Sequence, residues 1–169
     1  KVTLPGAGIA CFACSEANMD YMTKLIGIQA ISFDKMNQLR HVKFLKNKEH
    51  TLALMKEHAK ILKPKFEMVV STLEREIAPL GIATWHKPKG GYFVSVNTTP
   101  GLAKRTLALC KEAGVVMTSA GAAYPYGHDP ADSNIRVAPS LPPVEELEQA
   151  MAVFCCCLKL AALEQVYKF

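Results

Sequence analysis

The sequence predicts an α+β fold, its second half ordered ββαββα and entered through one long helix. Three observations predict it. Between 47 and 77 the apolar residues Leu52, Met55, Ala59, Leu62, Phe66, Val69, Leu73 and Ile77 recur every three or four positions, the spacing of one helix face. Beyond Pro79 and Gly81 the period falls to two, as in strands with one buried side. Apolar residues fill 50% of the 169 positions and charged residues 21%, the balance of a globular chain long enough for a core. That balance excludes a disordered tail, a collagen-like repeat and a disulfide-scaffold peptide.

From the N-terminus, Pro5, Gly6 and Gly8 break a strand end over 1–8, and a short apolar segment follows at 9–14. Ser15 is placed to cap a helix running to about Leu25, with Glu16 at its positive end and Gly27 as its stop. A second helix is expected over 33–44, opened by Ser32 or Asp34. The long helix over 47–77 is a rod of roughly 45 Å at about 1.5 Å per residue, and Pro64 should kink or divide it. A helix of that length normally connects two lobes, and its apolar stripe is expected to be core. Strands are expected at 82–86 and 92–97, then a helix starting near Thr99 and Pro100 and ending before Gly114. A third strand over 115–119, a Gly-, Pro- and Tyr-rich loop over 121–131 and a fourth strand over 134–138 follow. Pro142 and Pro143 lead into a last helix expected to bury Val144, Leu147, Met151, Phe154, Leu158 and Ala161. The first half offers helices and a loop but too few strands for a sheet of its own.

Twenty Lys and Arg against fifteen Asp and Glu give a mild +5. The densest basic stretch, from Lys43 to Lys65, is diluted by Glu49, Glu57, His50 and His58, so it reads as a solvated helix face and no nucleic-acid partner is expected. A modest positive field does suit small anionic substrates. The longest apolar run, 151–158, is too short for a bilayer, so no membrane partner is expected. Residues 1–10 lack a charged segment followed by a long apolar one, so they are not expected to be a signal peptide, and without an initiating Met residue 1 is not expected to be the start of the polypeptide. Cys11 and Cys14 form a lone CxxC, and Cys155, Cys156 and Cys157 on one helix point about 100° apart and cannot share a metal. All six Cys are expected to be reduced packing residues of a cytoplasmic protein, with no metal site. Gly6-Ala7-Gly8 is no dinucleotide loop, because the third glycine of G-x-G-x-x-G would fall on Cys11. G-K-[ST], G-x-S-x-G and H-E-x-x-H are also missing.

Arg136 stands out among the polar residues. It alternates with Ile135 and Val137, so it should leave the strand on the face opposite the core, where its fork could hold a carboxylate or join an ion pair. Lys1, taken alone, carries no signal.

Four stretches together resemble the C-terminal portion of a pyridoxal-phosphate (PLP) aminotransferase of fold type I. They are Lys1-Val-Thr-Leu-Pro-Gly-Ala-Gly, Asn37-Gln-Leu-Arg-His-Val, Lys87-Pro-Lys-Gly-Gly-Tyr-Phe and Asn134-Ile-Arg-Val-Ala-Pro-Ser. Between the last two, Ala113-Gly-Val-Val-Met-Thr-Ser-Ala-Gly-Ala-Ala-Tyr-Pro-Tyr-Gly is similar to the family's strand and loop before its substrate arginine. The order and spacing are most similar to a bacterial, MocR-like subgroup of aspartate aminotransferases. The resemblance runs over essentially the whole chain.

It implies the tail of a large α/β PLP-binding domain at 1–45, a connecting helix at 46–77 and the small C-terminal domain at 78–169. It implies that Lys1 is the catalytic lysine, holding PLP as a Schiff base, and that Arg136 grips the substrate α-carboxylate. Arg40 would serve a side-chain carboxylate or a dimer interface. The implied parent is a cytoplasmic homodimer of amino acid metabolism that transfers an amino group from aspartate to 2-oxoglutarate. An aminotransferase-like sensor domain of a transcriptional regulator is the alternative. Two departures stand out. Gly6-Ala7-Gly8 replaces the G-x-R arginine that many relatives offer the cofactor phosphate, and the family's upstream cofactor ligands are absent, so the isolated chain is expected to be inactive.

Overall fold

The computed structural model describes residues 3, 4 and 6–167, which form two compact units, 1–58 and 59–169. In the first unit, α1 (Glu16–Gln29) begins after Ser15, whose side chain makes no capping bond. It also runs through Gly27, since one glycine weakens a helix by only about 1 kcal/mol. Asp34 caps α2 (Lys35–Leu45), its Oδ1 accepting the Asn37 N–H at 2.9 Å.

Helix α3 (Lys48–Glu76) spans the boundary between the units, and Pro64 does not divide it. Its stripe changes character along its length. Leu52 and Met55 are exposed, Phe66 is half-buried, and Val69 and Leu73 are fully enclosed. The expectation of a core stripe therefore holds for the C-terminal half alone.

The second unit carries β1 (Ala83–Trp85), β2 (Val94–Thr98), α4 (Ala103–Glu112), β3 (Asn134–Val137) and α5 (Val144–Tyr167). The sheet is antiparallel in the order β1-β2-β3, with Val96 opposite Ile135 and Ser95 opposite Arg136. Alternation sends Val94, Val96, Ile135 and Val137 into the core, where they meet Val69, Leu73 and Ile77 from the α3 side and Met151, Phe154 and Leu158 from α5. Each such side chain is worth roughly 1.5–3 kcal/mol when fully enclosed.

Two expectations need correcting. Residues 115–119 form no strand, so the described order is ββαβα. Gly114 takes φ +86° and turns the Val115 N–H back onto the Cys110 carbonyl at 2.8 Å; Val115 and Met117 then pack against the core instead of joining a ladder. The cysteines also divide. Cys110, Cys155 and Cys157 are buried, and burial pushes Cys110 up to about 12 and Cys155 up to about 11. Cys11, Cys14 and Cys156 are exposed and are not packing residues.

α5 buries Leu147, Met151, Phe154, Leu158 and Ala161 as expected, while Val144 is only half-buried. By length and composition α5 is apolar enough to cross a bilayer, a feature that the short run at 151–158 does not convey.

Candidate functional site

The sheet's second face is polar. From β3 it receives Asn134 and Arg136, two positions apart, and from β2 it receives Ser95 and Asn97, their register partners. The Asn134 amide donates to Ser95 Oγ at 2.9 Å and to Asn97 Oδ1 at 2.7 Å, which ties the two strands together beside Arg136. The Arg136 guanidinium carbon lies 4.3 Å from the centre of the Phe93 ring, a cation–π contact. Its Nε is buried and has no hydrogen-bond partner among the described residues. A buried, unmet N–H on this guanidinium leaves a donor ready for an oxygen acceptor. A carboxylate supplies two such oxygens in the matching fork geometry.

The turn that delivers β3 is built on Asp129. Its Oδ1 accepts from Ala131 N–H at 3.0 Å, and its Oδ2 accepts from Ser133 and Asn134 N–H at 2.8 Å each. Those backbone donors, Asn134 and Ser133 foremost, hold the buried Asp129 carboxyl below the ordinary aspartate range. Asp132 adopts φ +46° and its Oδ1 accepts from Lys104 N–H at 3.1 Å, so the same turn caps α4. Upstream, Gly121 sits at φ +78°, and a Cβ there would overlap the Gly127 carbonyl oxygen, so no other residue fits. Beyond β3, Lys65 Nζ donates to the Ser140 and Leu141 carbonyls at 3.0 and 3.4 Å.

In the first unit Lys1 lies outside the described residues, whereas the segment that follows it is anchored on α2. Asn37 Nδ2 donates to the carbonyls of Ala7 at 3.0 Å and Gly8 at 3.3 Å. His41 Nδ1 is 2.8 Å from the Asn37 carbonyl, which can only accept, so Nδ1 carries a proton. In the neutral ring Nε2 then accepts from the Thr3 hydroxyl at 2.7 Å. Arg40 donates from Nη2 to Asn37 Oδ1 at 2.5 Å.

Of the two sequence-predicted site residues, Arg136 is thus seated on a polar sheet face with its donor unmet. Asn37, His41 and Phe93 lie in stretches that carry the resemblance, but the sequence reading gave them no site role, and it gave none to Asp129 or Lys65. Only the Asp-Pro pair at Asp129 offered a local cue, as a turn opener. Among the described residues no group of three or more His, Cys, Asp or Glu could hold a metal ion. A groove of about 580 Å³ bordered by Ser71, Arg75, Glu76, Glu148 and Lys159 includes no β3 residue in its lining. There Lys159 and Arg75 both pair with Glu76, at 2.8 and 3.0 Å.

Residues 1–168 match the aspartate amino-transferase family. A curated aspartate aminotransferase of Corynebacterium glutamicum is 46% identical over 164 residues, covering 97% of this chain and 38% of that protein. The crystal structure of an aspartate transaminase from Corynebacterium glutamicum superposes with a TM-score of 0.79 and 45% identity, over 89% of this chain and 36% of that one. An alpha-aminoadipate aminotransferase from Thermus thermophilus, complexed with N-(5'-phosphopyridoxyl)-L-leucine, superposes with a TM-score of 0.66 over 88% of this chain and 37% of that one. At 16% identity that likeness bears on the fold alone. The chain therefore spans 38% of the length of the curated relative that it matches.

Proposed function

The chain belongs to the aspartate aminotransferase family, and from that premise we propose that it supplies the substrate-carboxylate receptor and the cofactor lysine of a PLP-dependent aminotransferase. The observation that carries this reading is Arg136, a guanidinium over the Phe93 ring whose buried Nε–H has no partner among the described residues. The α-carboxylate of an amino acid or a 2-oxo acid completes that arrangement, and the same contact serves both halves of a transamination. Aspartate and 2-oxoglutarate are the proposed pair, the donor in keeping with the 46% identical relative, an aspartate aminotransferase.

The residues present fit the cofactor. Lys1 precedes in sequence a segment whose Ala7 and Gly8 carbonyls are taken by Asn37 and whose Thr3 is bonded to His41, and its amine is the group that would hold the cofactor. Bound there, the pyridine ring supplies an electron sink for cleavage at the substrate Cα. The Lys1 amine, once unprotonated, is the group that moves the proton at that carbon. Arg136 would hold the substrate carboxylate and so restrict the orientation of its Cα–H bond.

Activity is assigned to a longer, cytoplasmic homodimer of amino acid metabolism that contains these residues, in the MocR-like subgroup. Residues 1–45 would be the tail of its PLP-binding domain, 46–77 the connecting helix and 78–169 the small domain. The 38% coverage of the curated relative and the exposed apolar side chains of α1 and α2 support that assignment. The test is an assay of the complete protein with aspartate and 2-oxoglutarate, beside its Lys1→Ala variant. Turnover in the parent and none in the variant is expected. Turnover retained by Lys1→Ala removes the lysine from its role.

A further inference from the structure

The strand that carries Arg136 is short and weakly placed. β3 has four residues, about 13 Å at about 3.3 Å per residue, and it stands at the edge of the sheet with one ladder, to β2. A receptor arginine needs a fixed backbone, because a displacement of about 1 Å at a substrate-orienting contact is enough to lower a rate by about 100-fold. β2 restrains β3 laterally, while its ends depend on whatever holds the flanking segments.

Both ends are held by charged side chains bonded to neutral backbone. At the entrance, the buried Asp129 carboxylate takes the N–H groups of Ala131, Ser133 and Asn134, the last being the first residue of the strand. At the exit, the Lys65 ammonium donates to the carbonyls of Ser140 and Leu141, the two residues that follow the fully buried Pro139. Neither contact is an ion pair: among the described residues no carboxylate bonds to Lys65, and Asp129 is satisfied by backbone. Charge-assisted bonds of this kind are roughly twice as strong as neutral ones. Lys65 is itself anchored, since one turn further along α3 Val69 is fully enclosed in the core.

We propose that Asp129 and Lys65 are positioning residues for Arg136, clamping the two ends of β3 so that the guanidinium stays against Phe93, where it would receive a carboxylate. The proposal rests on the carboxylate-receptor reading of Arg136. A surface staple would be the competing role for Lys65, and it would act on stability alone.

The test uses the complete protein that contains these residues, labelled with ¹⁵N-arginine, following the Arg136 Nε–H resonance, identified by its loss in Arg136→Lys, with succinate as the carboxylate probe. In the parent chain the resonance is expected to exchange slowly with water and to shift on titration with succinate. Lys65→Met keeps the aliphatic stem and removes the donors. It is expected to speed Nε–H exchange about tenfold and to weaken succinate binding by a similar factor, on the scale of loss from a misaligned contact. Lys65→Arg, which restores the donors, should return both readings to within about twofold of the parent. Asp129→Asn should move both readings in the same direction as Lys65→Met; should that variant not fold, the Lys65 pair decides alone. If Lys65→Met lowers the melting temperature but leaves Nε–H exchange unchanged, the positioning role is overturned and a staple remains. If the parent resonance ignores succinate while Lys65→Met still speeds exchange, the clamp stands and the carboxylate reading of Arg136 falls.

Discussion

In residues 59–169, Val69, Val96, Ile135 and Phe154 are wholly enclosed between a sheet and helical faces, whereas in residues 1–58 the buried side chains among those described are Asn37 and His41. The second unit is fixed by apolar burial, and the first by hydrogen bonds from α2 to the segment around Thr3, Ala7 and Gly8. Its apolar residues face outward instead: Ile28 is 85% exposed, Ile31 103% and Met36 75%. The difference teaches where each half of the proposed chemistry gets its rigidity. Arg136 stands on a scaffold that needs nothing beyond this chain to bury its core. The segment after Lys1 is held by a few polar contacts on helices whose apolar sides are open.

The comparison breaks most visibly at Phe154. Phe154→Ala removes a fully enclosed ring, and a loss of about 3–5 kcal/mol in urea unfolding followed by circular dichroism is expected. A loss below about 1 kcal/mol would mean that the second unit does not depend on its core. Acid sharpens the comparison next. The Asp129 carboxyl is depressed by its backbone donors, so its contribution is complete above the ordinary aspartate value of about 3.9 and fades as pH falls through the lower, folded value. Amide exchange at Ser133 and Asn134 should stay slow until that acid range and then rise. In Asp129→Asn this acid-dependent step should be missing. The smallest effect is expected in the first unit: Ile28→Ser, on open surface, should change stability by no more than about 0.5 kcal/mol while lowering the binding of an apolar dye.

Local pattern was enough to read much of this. The spacing from Leu52 to Ile77 located α3, and the alternation of Ile135, Arg136 and Val137 told which way the arginine leaves its strand. Pattern failed where the deciding contact is remote or where two states share one composition. Val115 and Met117 are β-favouring residues, yet an extended segment packed on a core and a laddered strand look alike in sequence. The period of α3 could not reveal that Leu52 and Met55 remain exposed among the described residues. Lys65 meets Ser140 75 positions later and Asn37 meets Ala7 30 positions earlier, and neither pairing has a local signature. Asp129 is nearer to legible, because an aspartate before proline opens turns, but its three bonds depend on the turn having formed.

The most direct measurement of the central claim is the steady-state kinetics of Arg136→Ala in the complete protein, with the amino donor and the oxo acid varied in turn. Loss of the carboxylate receptor should raise KM for both substrates by about 100-fold while the folded state is retained, the scale on which substrate-positioning contacts act. KM values unchanged for both would contradict the assignment of Arg136 and with it the proposed site.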